Sequence, residues 1–257
     1  MSLQSCSPIV ELRQYTLHPG ARETLIDLFD REFVESQEAL GMRVLGQFRD
    51  LDNADRFVWL RDFPDMPSRA RSLAAFYGGP VWKAHREAAN ATMLDSDNVL
   101  LLRPVAPDSG FDLSAARRAP IGHGDASSEL IVATLYAFDA PVDREFLAFF
   151  ADVVEPALIA SGAPPLVRLA TCYEPNNFPA LPVREGEHVF AWFAGFADHA
   201  AYARHIAALT HSSRWRDSIA PGLRHRLIAP PQALRLTPTA RSLLRGAIAP
   251  LVPVTEN

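Results

Sequence analysis

The chain has 257 residues, 48% of them hydrophobic and 21% charged, and a formal net charge of −5. That length holds one large core or two small ones; no apolar run reaches the roughly 18 residues that span a bilayer. The acidic balance excludes a general nucleic-acid binder, whose affinity comes from a basic surface. The start MSLQSCSPIVELRQY carries no basic or apolar leader, and two cysteines, Cys6 and Cys172, make no disulfide framework, so a cytoplasmic protein is expected.

In chain order, residues 9–17 alternate as a strand, and GARETLIDLFDREFVESQEAL follows as a helix. Its Leu25, Leu28, Phe29 and Phe33 share one helical face. Gly41 comes next, suited to the left-handed position that closes a helix. RVLGQFRD and RFVWLRDF form a hairpin across LDNAD, MPSRARSLAAFYGG and PVWKAHREAANATM are helical, and NVLLLRPV ends the unit. Residues 106–128 are rich in Pro, Gly, Ser and Asp and read as a linker.

The elements then recur. FAWFAGF (190–196) follows FVWLRDF (57–63) by 133 positions, and at the same offset Trp82 falls on Trp215. Towards the start the offset is 121, which pairs Tyr15 with Tyr136 and Gly41 with Gly162. About twelve extra residues therefore lie in EPNNFPALPVREGE, a long loop. Each copy reads βαββαβ, so the expected fold is α+β: two tandem ferredoxin-like domains, 1–105 and 129–237, forming a pseudo-dimeric α+β barrel. The tail, 238–257, is expected to be partly helical around ARSLLRGAIA and to pack loosely or against a partner.

The phrases ELRQYTLHPG, GMRVLGQFRD, RFVWLRDFPDM, FYGGPVWKAHREAANATM and DSDNVLLLRP resemble the NIPSNAP family, more strongly in copy one than in copy two. That resemblance implies the dimeric α+β barrel superfamily. Its members include small cofactor-independent monooxygenases, haem-degrading enzymes and stress-response proteins, so no reaction follows from membership.

Site candidates come from differences between the copies. On the first strand Glu11, Arg13 and Tyr15 share a face, matched by Val132, Thr134 and Tyr136. On the third, Phe57, Trp59, Arg61 and Phe63 share a face, matched by Phe190, Trp192, Ala194 and Phe196. If that face looks into the barrel, Glu11, Arg13, Arg61 and Trp59 form a ligand site for a small anionic molecule, with Arg13 and Arg61 holding a carboxylate or enolate. His85 or Tyr15 would then move a proton. The same charges could equally be an ion-pair network that holds the sheets in place. His85 can be a packed helix residue, since copy two has Ser218 there; Trp82 reads as packing, and His18 as an exposed turn residue.

The histidines show no metal-ligand spacing; His199, His205 and His211 are six apart, which puts neighbours on different faces of a helix. Dinucleotide, P-loop and nucleophile-elbow motifs are missing as well, so no cofactor or metal is expected. Two functions stand: a small-molecule-binding protein or cofactor-independent enzyme, or a structural module that forms a homo-oligomer and offers its long loop to a partner.

Overall fold

Among the described residues nine strands and eight α-helices follow one another, all but the short strand Met93–Asp95 in the order that the alternating and helical patterns predict. The computed structural model describes residues 8–124 and 127–246; Cys6 and the end of the tail lie outside them. The first half is β1 (Ile9–Leu17), α1 (Arg22–Leu28) and α2 (Val34–Glu38), then β2 (Arg43–Asp50), β3 (Arg56–Phe63), α3 (Met66–Gly78), α4 (Pro80–Asn90), β4 (Met93–Asp95) and β5 (Val99–Pro104). The second half is β6 (Leu130–Phe138), α5 (Arg144–Phe149), α6 (Glu155–Ala160), β7 (Pro165–Thr171), β8 (His188–Phe196), α7 (His199–His211), α8 (Ala220–Arg224) and β9 (Gln232–Pro238).

Local chemistry sets matching boundaries in the two halves. Asp65 and Asp198 cap α3 and α7, each accepting a hydrogen bond of 2.6 Å from a backbone N–H three residues on. Gly41 and Gly162 follow the first helical segment of each half with φ of +85° and +91°, a region that side chains with a Cβ avoid. A π-helical turn interrupts that segment at Phe29–Phe33 and again, 121 positions later, at Phe150–Val154.

The sheet closes on itself. Around the ring the order is β1, β3, β2, β9, β6, β8, β7, β5 and back to β1, every pair antiparallel. β4 adds to the end of β1. The two halves are thus joined by β2–β9 and β5–β7 into one eight-stranded barrel with helices outside.

Both faces of the wall are covered, by the lumen on one side and helices on the other. Val10, Leu12, Val58, Leu60, Ile131, Ala133, Ala191 and Phe193 fill the lumen. The alternate residues face the helices, so the condition left open for Glu11, Arg13 and Arg61 is not met: they lie between sheet and helices, beside Tyr15, Trp59 and Phe63 of the outer core.

Three further segments differ from their sequence reading. The linker is more than a connection, because Phe111 and Leu113 enter the barrel core, with Phe111 edge-on to Phe193. Residues 240–246 form no helix; Leu244 is fully buried in the lumen cluster and Arg241 pairs with Glu35. The long loop docks in part on the first half, where Phe178 stacks on Tyr77 and Leu181 packs, while Pro179, Ala180 and Pro182 stay exposed.

Candidate functional site

Between sheet and helices the two halves are built on the same positions and filled differently. In the first half Glu11 is fully buried and accepts from three guanidinium groups: Arg69 Nε at 2.6 Å, Arg61 Nε at 2.7 Å and Arg13 Nη1 at 2.8 Å. Burial alone would raise its carboxyl, but Arg61, Arg13 and Arg69 together hold it well below the usual carboxylate range. Arg13 Nε donates to the Tyr15 hydroxyl at 3.0 Å, Arg61 Nη1 donates to Gln37 at 2.9 Å, and the Arg61 guanidinium lies 5.0 Å from the centre of the Trp59 ring.

The long loop completes this cluster: Arg69 Nη1 donates to Asn177 Oδ1 at 2.7 Å and Asn176 Oδ1 at 3.0 Å. A void of about 30 Å³ is left beside it, walled by Tyr15, Gln37, Trp59, Tyr77 and Trp82 among others. That is room for one water and not for an organic ligand.

His85 stands apart on α4, its Nε2 3.4 Å from Glu32 and its ring edge-on to Phe33, with about a third of the side chain exposed. Trp82 packs on Phe33, Phe76 and Tyr77. His18 is exposed. The structure therefore gathers Glu11, Arg13, Arg61, Trp59 and Tyr15 into one group, leaves His85 outside it, and adds Arg69, Gln37 and the two asparagines.

In the second half the same places carry short or apolar side chains. Val132, Thr134 and Ala194 stand where Glu11, Arg13 and Arg61 do; Leu158 stands for Gln37 at the 121 offset and Tyr202 for Arg69 at 133. The result is a cavity of about 540 Å³, within the range of small-molecule sites. Its floor is Val132, Thr134 and Tyr136 of β6 with Trp192, Ala194 and Phe196 of β8. Its roof is Tyr202, His205, Ile206 and Leu209 of α7, and Trp215 and Leu223 close the side. Ile206 and Ile228 are exposed at its edge, as are Arg224, Pro230 and Pro231.

Few polar groups reach this space. The Tyr136 hydroxyl is pushed up to about 12 by burial, so it stays protonated. It feels the Trp192 indole without completing a hydrogen bond, and the buried Trp192 N–H has no partner among the described residues. His205 is 4% exposed; its Nδ1 lies 2.9 Å from Ser161 Oγ, and burial lowers its pKa from the ordinary imidazole value. His205 has no metal-ligand spacing to neighbouring histidines. The signal was there at the 133 offset, where Ser72 gives way to a histidine on the buried face of the helix.

Among the described residues no group of three or more His, Cys, Asp and Glu could hold a metal, and no helix is long and apolar enough to cross a membrane.

The barrel and its sheet–helix spaces place the chain with the dimeric α+β barrels, here closed within one chain. Residues 10–107 match the NIPSNAP family model. Two solved structures match over nearly the whole chain: a proposed monooxygenase from Fusobacterium nucleatum subsp. nucleatum (12% identity, 95% of each chain, TM-score 0.53) and an anthrone oxidase-like protein (13% identity, 91% of this chain and 92% of that one, TM-score 0.54). At such identity they share the fold alone. A NIPSNAP-like domain protein from Burkholderia xenovorans is 27% identical over 38% of this chain and 85% of its own, with a TM-score of 0.36. A search of the curated proteins gives no match.

Proposed function

We propose that the chain binds a small, uncharged, largely apolar molecule between sheet and helices of its second half, while the first half serves as the rigid partner that closes the barrel. The single observation that carries this is the 540 Å³ cavity, apolar in most of its lining, at positions where the first half is filled by an ion-pair cluster. In this reading the chain is two ferredoxin-like units, 1–105 and 129–237, working in the cytoplasm; one chain completes the barrel, so no homo-oligomer is needed. The names of the two full-length neighbours favour an oxidation or oxygenation over simple storage of the ligand.

Naphthalene is a suitable probe of the cavity. Titration is expected to show saturable binding to the wild-type protein and at least about tenfold weaker binding to Ala194→Phe, whose ring would occupy the floor. A folded Ala194→Phe protein that binds as the wild type does would overturn the assignment.

A second reading rests on a different observation. Three arginines meet one glutamate in the first-half cluster, and Arg61 Nη2 and Arg69 Nη2 are buried without partners among the described residues. The anion expected at Glu11, Arg13, Arg61 and Trp59 would then be no larger than a halide ion, and the proton transfer expected of Tyr15 or His85 has no part in this reading. Chloride titration of the melting temperature against sulfate at equal ionic strength tests it; a chloride-specific rise supports a site there.

A further inference from the structure

His205 holds more nitrogen than its structural contact needs. In the first half the equivalent contact between helices is made by a hydroxyl alone: Ser72 Oγ donates to the Leu40 carbonyl at 2.7 Å. In the second half position 161 takes the place of Leu40 and His205 the place of Ser72. A serine would therefore have sufficed to tie α7 to the end of α6. Histidine adds a second ring nitrogen on a residue that lines the cavity.

The state of that nitrogen follows from its partners. Ser161 Oγ lies 2.8 Å from the Leu158 carbonyl oxygen, which can only accept, so the single hydroxyl proton is spent there. Its 2.9 Å contact with His205 Nδ1 is satisfied only if Nδ1 carries a proton and the hydroxyl accepts it. Nε2 is then the unprotonated nitrogen, with its lone pair free for a ligand. The titratable and charged groups facing His205 are Tyr202 on its own helix, at 6.3 Å between ring centres, Tyr136 from β6 and Arg224 from α8. Phe196 of β8 covers the ring at 5.5 Å. No carboxylate lines the cavity; the Ser161 backbone favours the charged imidazole, and burial outweighs it.

Resting on the cavity reading above, we infer that His205 Nε2 is the proton acceptor of this site, and that the ligand is an uncharged ring compound bearing one acidic hydroxyl of the phenol or enol type. When the proton moves, the ligand's O–H bond breaks, an N–H bond forms at Nε2, and the oxygen keeps the electron pair. The resulting oxyanion and imidazolium are both held in the cavity. The Trp192 N–H, buried and without a partner, is the donor available to the oxygen, and the protonated Tyr136 hydroxyl is a second. Ser161 is the positioning residue, acting on the ligand only through the tautomer of His205.

Naphthalene and 2-naphthol differ by the one group in question. With the full chain at pH 7.5, 2-naphthol is expected to bind about tenfold tighter than naphthalene, the gain of one good hydrogen bond to a basic nitrogen. That preference should fade as pH falls below the ordinary imidazole value of about 6.5, because protonated Nε2 no longer accepts. His205→Ala should abolish the preference, leaving the affinities of the variant for the two compounds within about threefold of each other. Ser161→Ala should weaken the preference without abolishing it, because the hydroxyl no longer fixes the proton on Nδ1, and shift the pH at which it fades. If His205→Ala does not fold, the wild-type pH profile decides alone: a preference unchanged from pH 5 to 8 overturns the inference. Naphthalene binding with no preference for 2-naphthol overturns it too and leaves the cavity reading standing. Failure of both compounds to bind overturns both.

Discussion

The two halves of this barrel answer one packing problem in opposite ways. Each must fill the space between a four-stranded wall and two helical segments. The first half does it with long charged side chains, Arg13, Arg61 and Arg69 around Glu11, sealed by Asn176 and Asn177 from the other half. The second half replaces them with Thr134, Ala194, Tyr202 and Val132 and leaves the space open. The difference teaches that one scaffold yields a strut or a pocket according to side-chain length at a handful of wall positions. Tryptophan is common to both: Trp59 and Trp192 each keep a buried N–H without a partner among the described residues, and they line a void of about 30 Å³ in one half and about 540 Å³ in the other.

The sharpest way to break this contrast is to discharge the strut. Glu11→Gln would leave three buried guanidinium groups without their only carboxylate and should cost about 3–5 kcal/mol in urea unfolding. Val132→Ala at the equivalent place should cost no more than about 1.5 kcal/mol, since it opens an existing cavity slightly further. Equal costs would mean that the cluster is not what holds the first half. Asn177→Ala comes next, at about 1–3 kcal/mol, because it removes a partner of buried Arg69. A neutral result there would detach the long loop from the first half's stability.

A matched pair follows. Gly41→Ala and Gly162→Ala both force a Cβ into positive φ and should each lower stability by about 1 kcal/mol, a symmetry that thermal melts of the two variants can test. The smallest expected effect is on pH. His205 has a folded pKa below its unfolded value, so the unfolded chain binds the extra proton first and stability falls as pH drops below about 6.5. The fall levels off once His205 itself is protonated, and His205→Gln should remove this part of the profile. The Glu11 contribution, with its carboxyl held low, is full above the ordinary carboxylate value and is lost progressively as pH falls below it.

Much of the barrel was legible in advance because its causes are local. The alternation of Val10, Leu12 and Gln14 against Glu11, Arg13 and Tyr15, the glycines at 41 and 162, and the recurring tryptophans all announce elements and their order. Which face meets the lumen was not legible, because the wall is covered on both sides and both faces carry large apolar residues. That ambiguity directed attention to the charged half when the open space lies in the other. Phe111, Leu113 and Leu244 were missed for a related reason: single apolar residues in segments rich in Pro, Gly, Ser or Arg carry no period, yet each fills a gap in the lumen. His205 was readable only by asking what differs between equivalent positions on the second helices.

The most direct test of the central contrast is the indole N–H region of a ¹⁵N-labelled sample, which holds one signal for each of the four tryptophans. On titration with naphthalene the Trp192 signal should shift saturably while that of Trp59 stays in place. Movement of Trp59 with Trp192 unchanged would put the ligand in the charged half and contradict the account.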